Sequence, residues 1–202
     1  MNLSKEQLLA SLPLRKDNIA MRACDRADID EMAKWPLYPF PYEAFNAKFA
    51  GMTCEQRDEY YYSRRERADR VTLVCDDLAQ PTIVDLALRQ VDWACGAVGN
   101  FGYRVRPDWC DKGIGTFVMR ITADWLFRSG FSTLRLDVVA GNGRAIRCYE
   151  KAGFAITGEF WKEEEGLKHT PIDRPEYDWL RPHVRMDAPV PLLRFWWMEL
   201  TA

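Results

Sequence analysis

The sequence predicts an α+β fold. Three extended apolar runs between Arg70 and Val105 follow one another with connections short enough for hairpins, which predicts an antiparallel meander. From Ile114 the hydrophobic period lengthens to that of a helix, and strands and helices then follow in a mixed order rather than in strict alternation. A chain of 202 residues, 48% of them hydrophobic, is long enough for one well-filled core, so a single domain over 1–202 is expected.

"NIAMRACD", from Asn18 to Asp25, reads as the first strand. "RADIDEMAKW" follows with Ile29, Met32 and Ala33 at helical spacing, and Pro36 stops that helix. Prolines then alternate with aromatic residues in "PLYPFPYEAF", a pattern that predicts a stiff loop. The next helix is expected over Cys54 to Ala68, before the strands "RVTLVCDD", "PTIVDLALRQVDW" and "AVGNFGYRV". From Ile114, the residues Phe117, Val118, Ile121, Trp125 and Leu126 share one helical face, with Arg120, Asp124 and Arg128 opposite. Gly130 ends this helix, Thr133 to Val139 is a buried strand, and "NGRAIRCYEKAG" is a helix closed by Gly153. "FAITGEFW" is a strand, and Lys162 to Pro191, with five prolines and no clear period, is expected to be an insertion before the last strand "LLRFWWMEL".

Composition excludes several classes. A formal charge of -2 provides no broad positive field for nucleic acid or an anionic membrane. No apolar run approaches membrane-spanning length, and the start lacks the order of a secretory signal, so a cytoplasmic protein is expected. The six cysteines contain no CxxC pair and are expected to be buried thiols; with only His169 and His183 present, no metal site is expected. "YYYSRRERADR" interleaves aromatics with arginines, as a nucleic-acid binder does, but an amphipathic surface helix accounts for it better.

The stretch "PDWCDKGIGTFVMR" sets Gly113 and Gly115 at the mouth of the best helix. Helix N-termini present unpaired N–H groups and partial positive charge, so they hold anionic groups where no side chain blocks the approach. A P-loop needs Lys and then Ser or Thr after its second glycine, where Thr116 and Phe117 stand; a GxGxxG fingerprint needs glycine at Val118. A tight turn into the helix and a short pyrophosphate clamp both remain. With its context, "VRPDWCDKGIGT" followed by "LRLDVVAGNGRAIRCYEKAGF", the chain resembles the GNAT superfamily of N-acetyltransferases from about Gly99 to Phe154. "LRKDNIAMRACDRADIDEMAKW" and "FGYRVRPDWCDKGIG" are most similar to the branch that acetylates ribosomal-protein N-termini, antibiotics and other small amines.

The resemblance implies a mostly antiparallel central sheet with splayed fourth and fifth strands, and acetyl-CoA as cosubstrate. Asp111, Lys112, Gly113, Ile114, Gly115 and Thr116 match the loop whose amides bind the pyrophosphate. Cys110 departs from the family's Arg or Gln, so the contact of that side chain is either absent or supplied by Lys112 or Arg144. Val105 matches the end of the fourth strand, whose backbone pairs with pantetheine and meets the oxyanion; read alone it is a strand end. Tyr149, seven residues after Asn142, matches the phenol that protonates the CoA sulfur, a donor of ordinary pKa about 10 against about 8.5 for a thiol. A packed helix tyrosine is the plain alternative, as a helix cap is for Asn142, which matches the family asparagine near the pantetheine arm. Asp137 matches the position of a glutamate base; being shorter, it would work through water or simply pair with an arginine. Asn100 stands on the fourth strand where related enzymes often carry a glutamate, and an amide is no base at neutral pH.

The expected function is direct acetyl transfer to a primary amine, of a small molecule or a protein N-terminus, with a homodimer left open. Acceptor-facing segments are expected in the aromatic loop Trp35 to Phe45 and in the insertion, where Glu43, Asp173, Glu176 and Asp178 are acidic candidates for a cationic amine, although solvated loop charge accounts better for each taken alone. A non-catalytic acyl-CoA sensor on the same fold, and an interaction module pairing through its aromatic last strand, are the competing readings.

Overall fold

The computed structural model describes residues 3–40, 42 and 48–202. The chain divides into two compact units, Met1–Leu134 with Thr201–Ala202, and Arg135–Leu200. In the first unit, β1 (Leu14–Lys16), β2 (Ile19–Ala23), β3 (Arg70–Asp77), β4 (Gln80–Asp92) and β5 (Ala97–Val105) pair antiparallel in sequence order. The expected meander is there. The next strand, β6 (Thr133–Val139), begins parallel to β5, through the pairs Ala97 with Thr133 and Val98 with Leu134.

Register sorts the first unit's residues onto two faces, because side chains alternate along a strand. Val71, Leu73 and Cys75 of β3 pair with Leu88, Leu86 and Val84 of β4, and all six are buried. Each fully buried leucine contributes about 1.5–3 kcal/mol. Helix α4 (Ile114–Arg128) covers this face: Thr122 Oγ1 lies 3.4 Å from Met21 Sδ of β2, and Trp125 Nε1 donates to Ser11. Its charged stripe, Arg120, Asp124 and Arg128, is exposed as the period predicts.

The opposite face is polar. Arg70, Arg89 and Asn100 stand side by side across β3, β4 and β5; Thr72, Ala87 and Gly102 form the next rank, and Val74, Asp85 and Arg104 the one after. Helices α2 (Arg26–Ala33) and α3 (Cys54–Arg65) pack over it, each started by a capping box, Asp25 with Asp28 and Thr53 with Gln56. Ile29, Met32, Trp35 and Phe49 form a small core there, and Tyr60 of α3 packs edge-on against Phe49 at 4.8 Å. Asp28 is 3% exposed: it receives Arg22 in two bonds of 2.7 Å and the Thr82 hydroxyl at 2.7 Å.

In the second unit, β9 (Leu192–Thr201) lies between β6 and β7 (Ala155–Glu163), and β8 (Val184–Arg185) pairs with the start of β9. Phe160 of β7 stacks on Phe195 and Trp197 of β9 at 5.3 and 4.5 Å. Helix α5 (Gly143–Lys151) follows β6 and is closed by Gly153 at φ +102°.

Several expectations are corrected. Helix α1 (Lys5–Ala10) and strand β1 were not foreseen, because six and three residues are too short to display a period; the capping box of Ser4 and Gln7 was the available signal. Helix α3 stops at Arg65 rather than Ala68. The insertion begins after β7, which takes in Lys162 and Glu163, and it is structured: three 3-10 turns and β8 bury Leu167, Ile172 and Leu180. Of the six cysteines, all free, only Cys75 is buried, and Cys54 and Cys95 are exposed. Among the described residues no helix is long and apolar enough to cross a membrane, and no His, Cys, Asp and Glu cluster could hold a metal ion.

Candidate functional site

The first unit carries the glycine loop. After β5 the chain makes a 3-10 turn at Pro107–Trp109, then bends through Asp111 at φ +59° and Gly113 at φ +81° into α4. Aspartate tolerates the left-handed region better than most residues, and glycine enters it without cost. No side chain caps α4, and a Cβ built on Gly113 would meet nothing within 4 Å. A 15-residue helix therefore presents its positive end at an open surface. Tyr103 of β5 donates to the Gly115 carbonyl at 2.8 Å, tying the first turn of the helix to the strand before it.

Cys110 turns inward, its thiol 3.8 Å from the Val105 carbonyl and 3.7 Å from that of Arg106. Lys112 leans over the Trp109 ring, with Nζ 5.3 Å from its centre. The Val105 carbonyl accepts a hydrogen bond from the hydroxyl of Tyr38, which is buried.

Tyr38 comes from the aromatic loop, but the sequence does not single it out. Trp35, in the same loop, is a core residue whose Nε1 donates to the Thr82 carbonyl at 3.0 Å. Leu37 and Phe40 are exposed, and Glu43 and Phe45 lie outside the described residues.

The second unit carries Asp137, Asn142 and Tyr149. Asp137 is half-buried on β6. Asn142 caps α5, its side chain accepting from the Ala145 N–H at 3.1 Å. Tyr149 is 8% exposed on α5, its ring tilted against Phe154 at 6.2 Å. The insertion folds over the turn before Asn142: a Cβ on Gly141 would come within 2.9 Å of the Trp179 carbonyl and 3.0 Å of His183. His183 Nδ1 lies 2.8 Å from Arg194, and burial, then the Arg194 charge, hold the imidazole pKa below its usual value. Asp173 and Glu176 are exposed, while Asp178 pairs with Arg181 at 2.7 Å.

The acetyltransferase (GNAT) family matches residues 33–154, more than half of the chain and both of these segments. The protein belongs to that family. The solved structures it resembles include a chimera of spermidine N-acetyltransferase from Vibrio cholerae, at TM-score 0.66 and 16% identity over 92% of this chain and 96% of that one. Another is the Vibrio cholerae enzyme in complex with CoA and spermine, at TM-score 0.64 and 15% identity over 92% and 96%. At such identities the likeness is one of fold, the mixed and mostly antiparallel GNAT architecture of nine strands. A search of curated proteins finds no sequence match. As a GNAT protein the chain is an N-acetyltransferase, and enzymes of this family use acetyl-CoA.

Proposed function

We propose that this protein moves an acetyl group from acetyl-CoA directly to a primary amine, without a covalent enzyme intermediate. The observation that carries the reading is the uncapped N-terminus of α4, opened by Gly113 at positive φ immediately after β5. The amides from Lys112 to Thr116, with Asp111 shaping the bend, would hold the pyrophosphate through hydrogen bonds and the helix dipole. The Val105 backbone would take the pantetheine arm, and the family resemblance gives Asn142 a part in holding the same arm. Tyr38, already bonded to the Val105 carbonyl, would border the same place.

In the transfer, the amine nitrogen bonds to the acetyl carbon as the carbon–sulfur bond breaks. Tyr149 gives its phenolic proton to the leaving sulfur, and Asp137, directly or through one water, accepts the proton lost by the amine. The products are an amide and free CoA. The spermine bound by a structural neighbour supports an amine as acceptor in general.

Gly115→Glu tests the clamp, since it adds bulk and negative charge at the first turn of α4. Calorimetry with acetyl-CoA should show binding reduced by at least about 100-fold, on the scale of a lost set of charge-assisted hydrogen bonds. A folded Gly115→Glu protein that binds as tightly as the native one would remove the pyrophosphate assignment.

A further inference from the structure

Two aromatic residues of the loop after α2 donate to main-chain carbonyls at the ends of neighbouring strands. Trp35 Nε1 reaches the Thr82 carbonyl near the start of β4 at 3.0 Å, and the Tyr38 hydroxyl reaches the Val105 carbonyl at the end of β5. Both side chains are buried, and they line one small cleft together with Arg104 and Pro107. Trp35 belongs to the core formed with Ile29, Met32 and Phe49, so its bond satisfies an indole that packing has already buried. The Tyr38 bond does more, because of where Val105 sends its own polar groups.

Along an antiparallel pair, residues that exchange hydrogen bonds across the strands alternate with residues that do not. The Arg106 N–H donates to the Ile83 carbonyl at 2.8 Å, so the preceding pair, Val84 with Val105, is a non-bonded one, and Asp85 with Arg104 is bonded again. Val105 therefore turns both its N–H and its C=O away from β4. Its neighbours are held: Arg104 forms an ion pair with Asp85, and its guanidinium lies 4.9 Å from the centre of the Phe49 ring. The last peptide of the strand, from Val105 to Arg106, is gripped by β4 through its N–H alone. Its carbonyl end is gripped by a phenol brought from 67 residues away in the chain. Held at both ends, this peptide plane cannot tilt, which fixes ψ of Val105 and the angle at which the Val105 N–H leaves the strand.

We propose that Tyr38 is a positioning residue for acetyl transfer, fixing Val105 so that its N–H meets the thioester oxygen as negative charge develops there. This rests on the acetyltransferase reading above and adds to it a residue that acts through the strand. No bond of the reaction forms or breaks at the Tyr38 hydroxyl, whose proton stays on the Val105 carbonyl side throughout. Losing an oxyanion donor costs about 100- to 1,000-fold in kcat, and a donor misplaced rather than removed loses part of that.

Two measurements on the full chain decide this. The first needs no amine: the infrared carbonyl stretch of acetyl-CoA labelled with carbon-13 at the thioester carbon is compared free and bound. Native protein should lower the frequency, because a hydrogen bond to the oxygen weakens the C=O bond, and Tyr38→Phe should return it most of the way to the free value. Trp35→Phe, which removes the other buried donor, should lower the thermal melt and leave the bound frequency as in native protein. The second is turnover: Tyr38→Phe should lower kcat about 10- to 100-fold with the KM for acetyl-CoA nearly constant. An unchanged frequency in Tyr38→Phe, or a frequency restored equally by Trp35→Phe, overturns the proposal and leaves Tyr38 a packing residue. Tighter binding of acetyl-CoA by Tyr38→Phe also overturns it, since the hydroxyl would then compete with pantetheine for the Val105 carbonyl. If acetyl-CoA binds but no amine releases CoA, the transferase reading fails, and the carbonyl frequency alone decides whether Tyr38 orients Val105.

Discussion

Tyr149→Phe is expected to lower kcat about 100- to 10,000-fold, the usual cost of losing a general acid. The substitution keeps the ring, and with it the contact to Phe154 at 6.2 Å and the burial of the side chain, so the fold should be unchanged. The KM for acetyl-CoA should barely move, because the phenol matters chiefly as negative charge grows on sulfur. Asp137→Asn should cost less, and its deficit should shrink as pH rises, because solvent then deprotonates the amine without help. Release of free thiol followed at several pH values measures both. Full turnover by Tyr149→Phe would make the tyrosine a packing residue and leave the sulfur to be protonated by water.

Asp28→Ala should destabilise the protein by about 3–5 kcal/mol, the range for removing one partner of a buried ion pair. The carboxylate is 3% exposed, and its loss strands Arg22 and the Thr82 hydroxyl, although Asp76, 2.7 Å from Arg22 Nε, keeps part of the cation's charge compensated. Burial pushes the Asp28 pKa up, but the bonds from Arg22, the Asp25 N–H and Thr82 outweigh it and hold it below its ordinary value. A depressed folded pKa contributes stability that is complete above the unfolded value, about 3.9, and is lost as pH falls through the folded one. Urea unfolding should therefore show the gap between native protein and Asp28→Ala narrowing below about pH 4. A gap under about 1 kcal/mol at pH 7 would mean that desolvation cancels the pair.

The parts legible in the sequence share one property: neighbours within a few residues determine them. The period from Ile114 to Arg128 exposes Arg120, Asp124 and Arg128 as read. The left-handed glycine before α4, the cap at Asn142 and the glycine after α5 sit where residue chemistry puts them. The motif around Gly113 and Gly115 was enough to reach the family, and the family match covers it. Helix α1 and strand β1 escaped because they are shorter than the pattern that announces an element.

What only the tertiary structure decided is which distant residues share a face. Nothing local says that Arg70, Arg89 and Asn100 form one rank; that follows from the register of three strands, and a slip of one residue would send Arg70 into the apolar layer under α4. Nor does the proline-aromatic loop reveal that Trp35 fills a core while Tyr38, three residues on, bonds the Val105 carbonyl. The insertion reads as irregular chain, yet it buries Ile172 and Leu180 and presses on Gly141. Helical period and caps are paid for within a turn or two of chain, whereas a strand's hydrogen-bonding groups and a loop's large rings are satisfied only by partners far along the sequence, so their placement belongs to the folded whole.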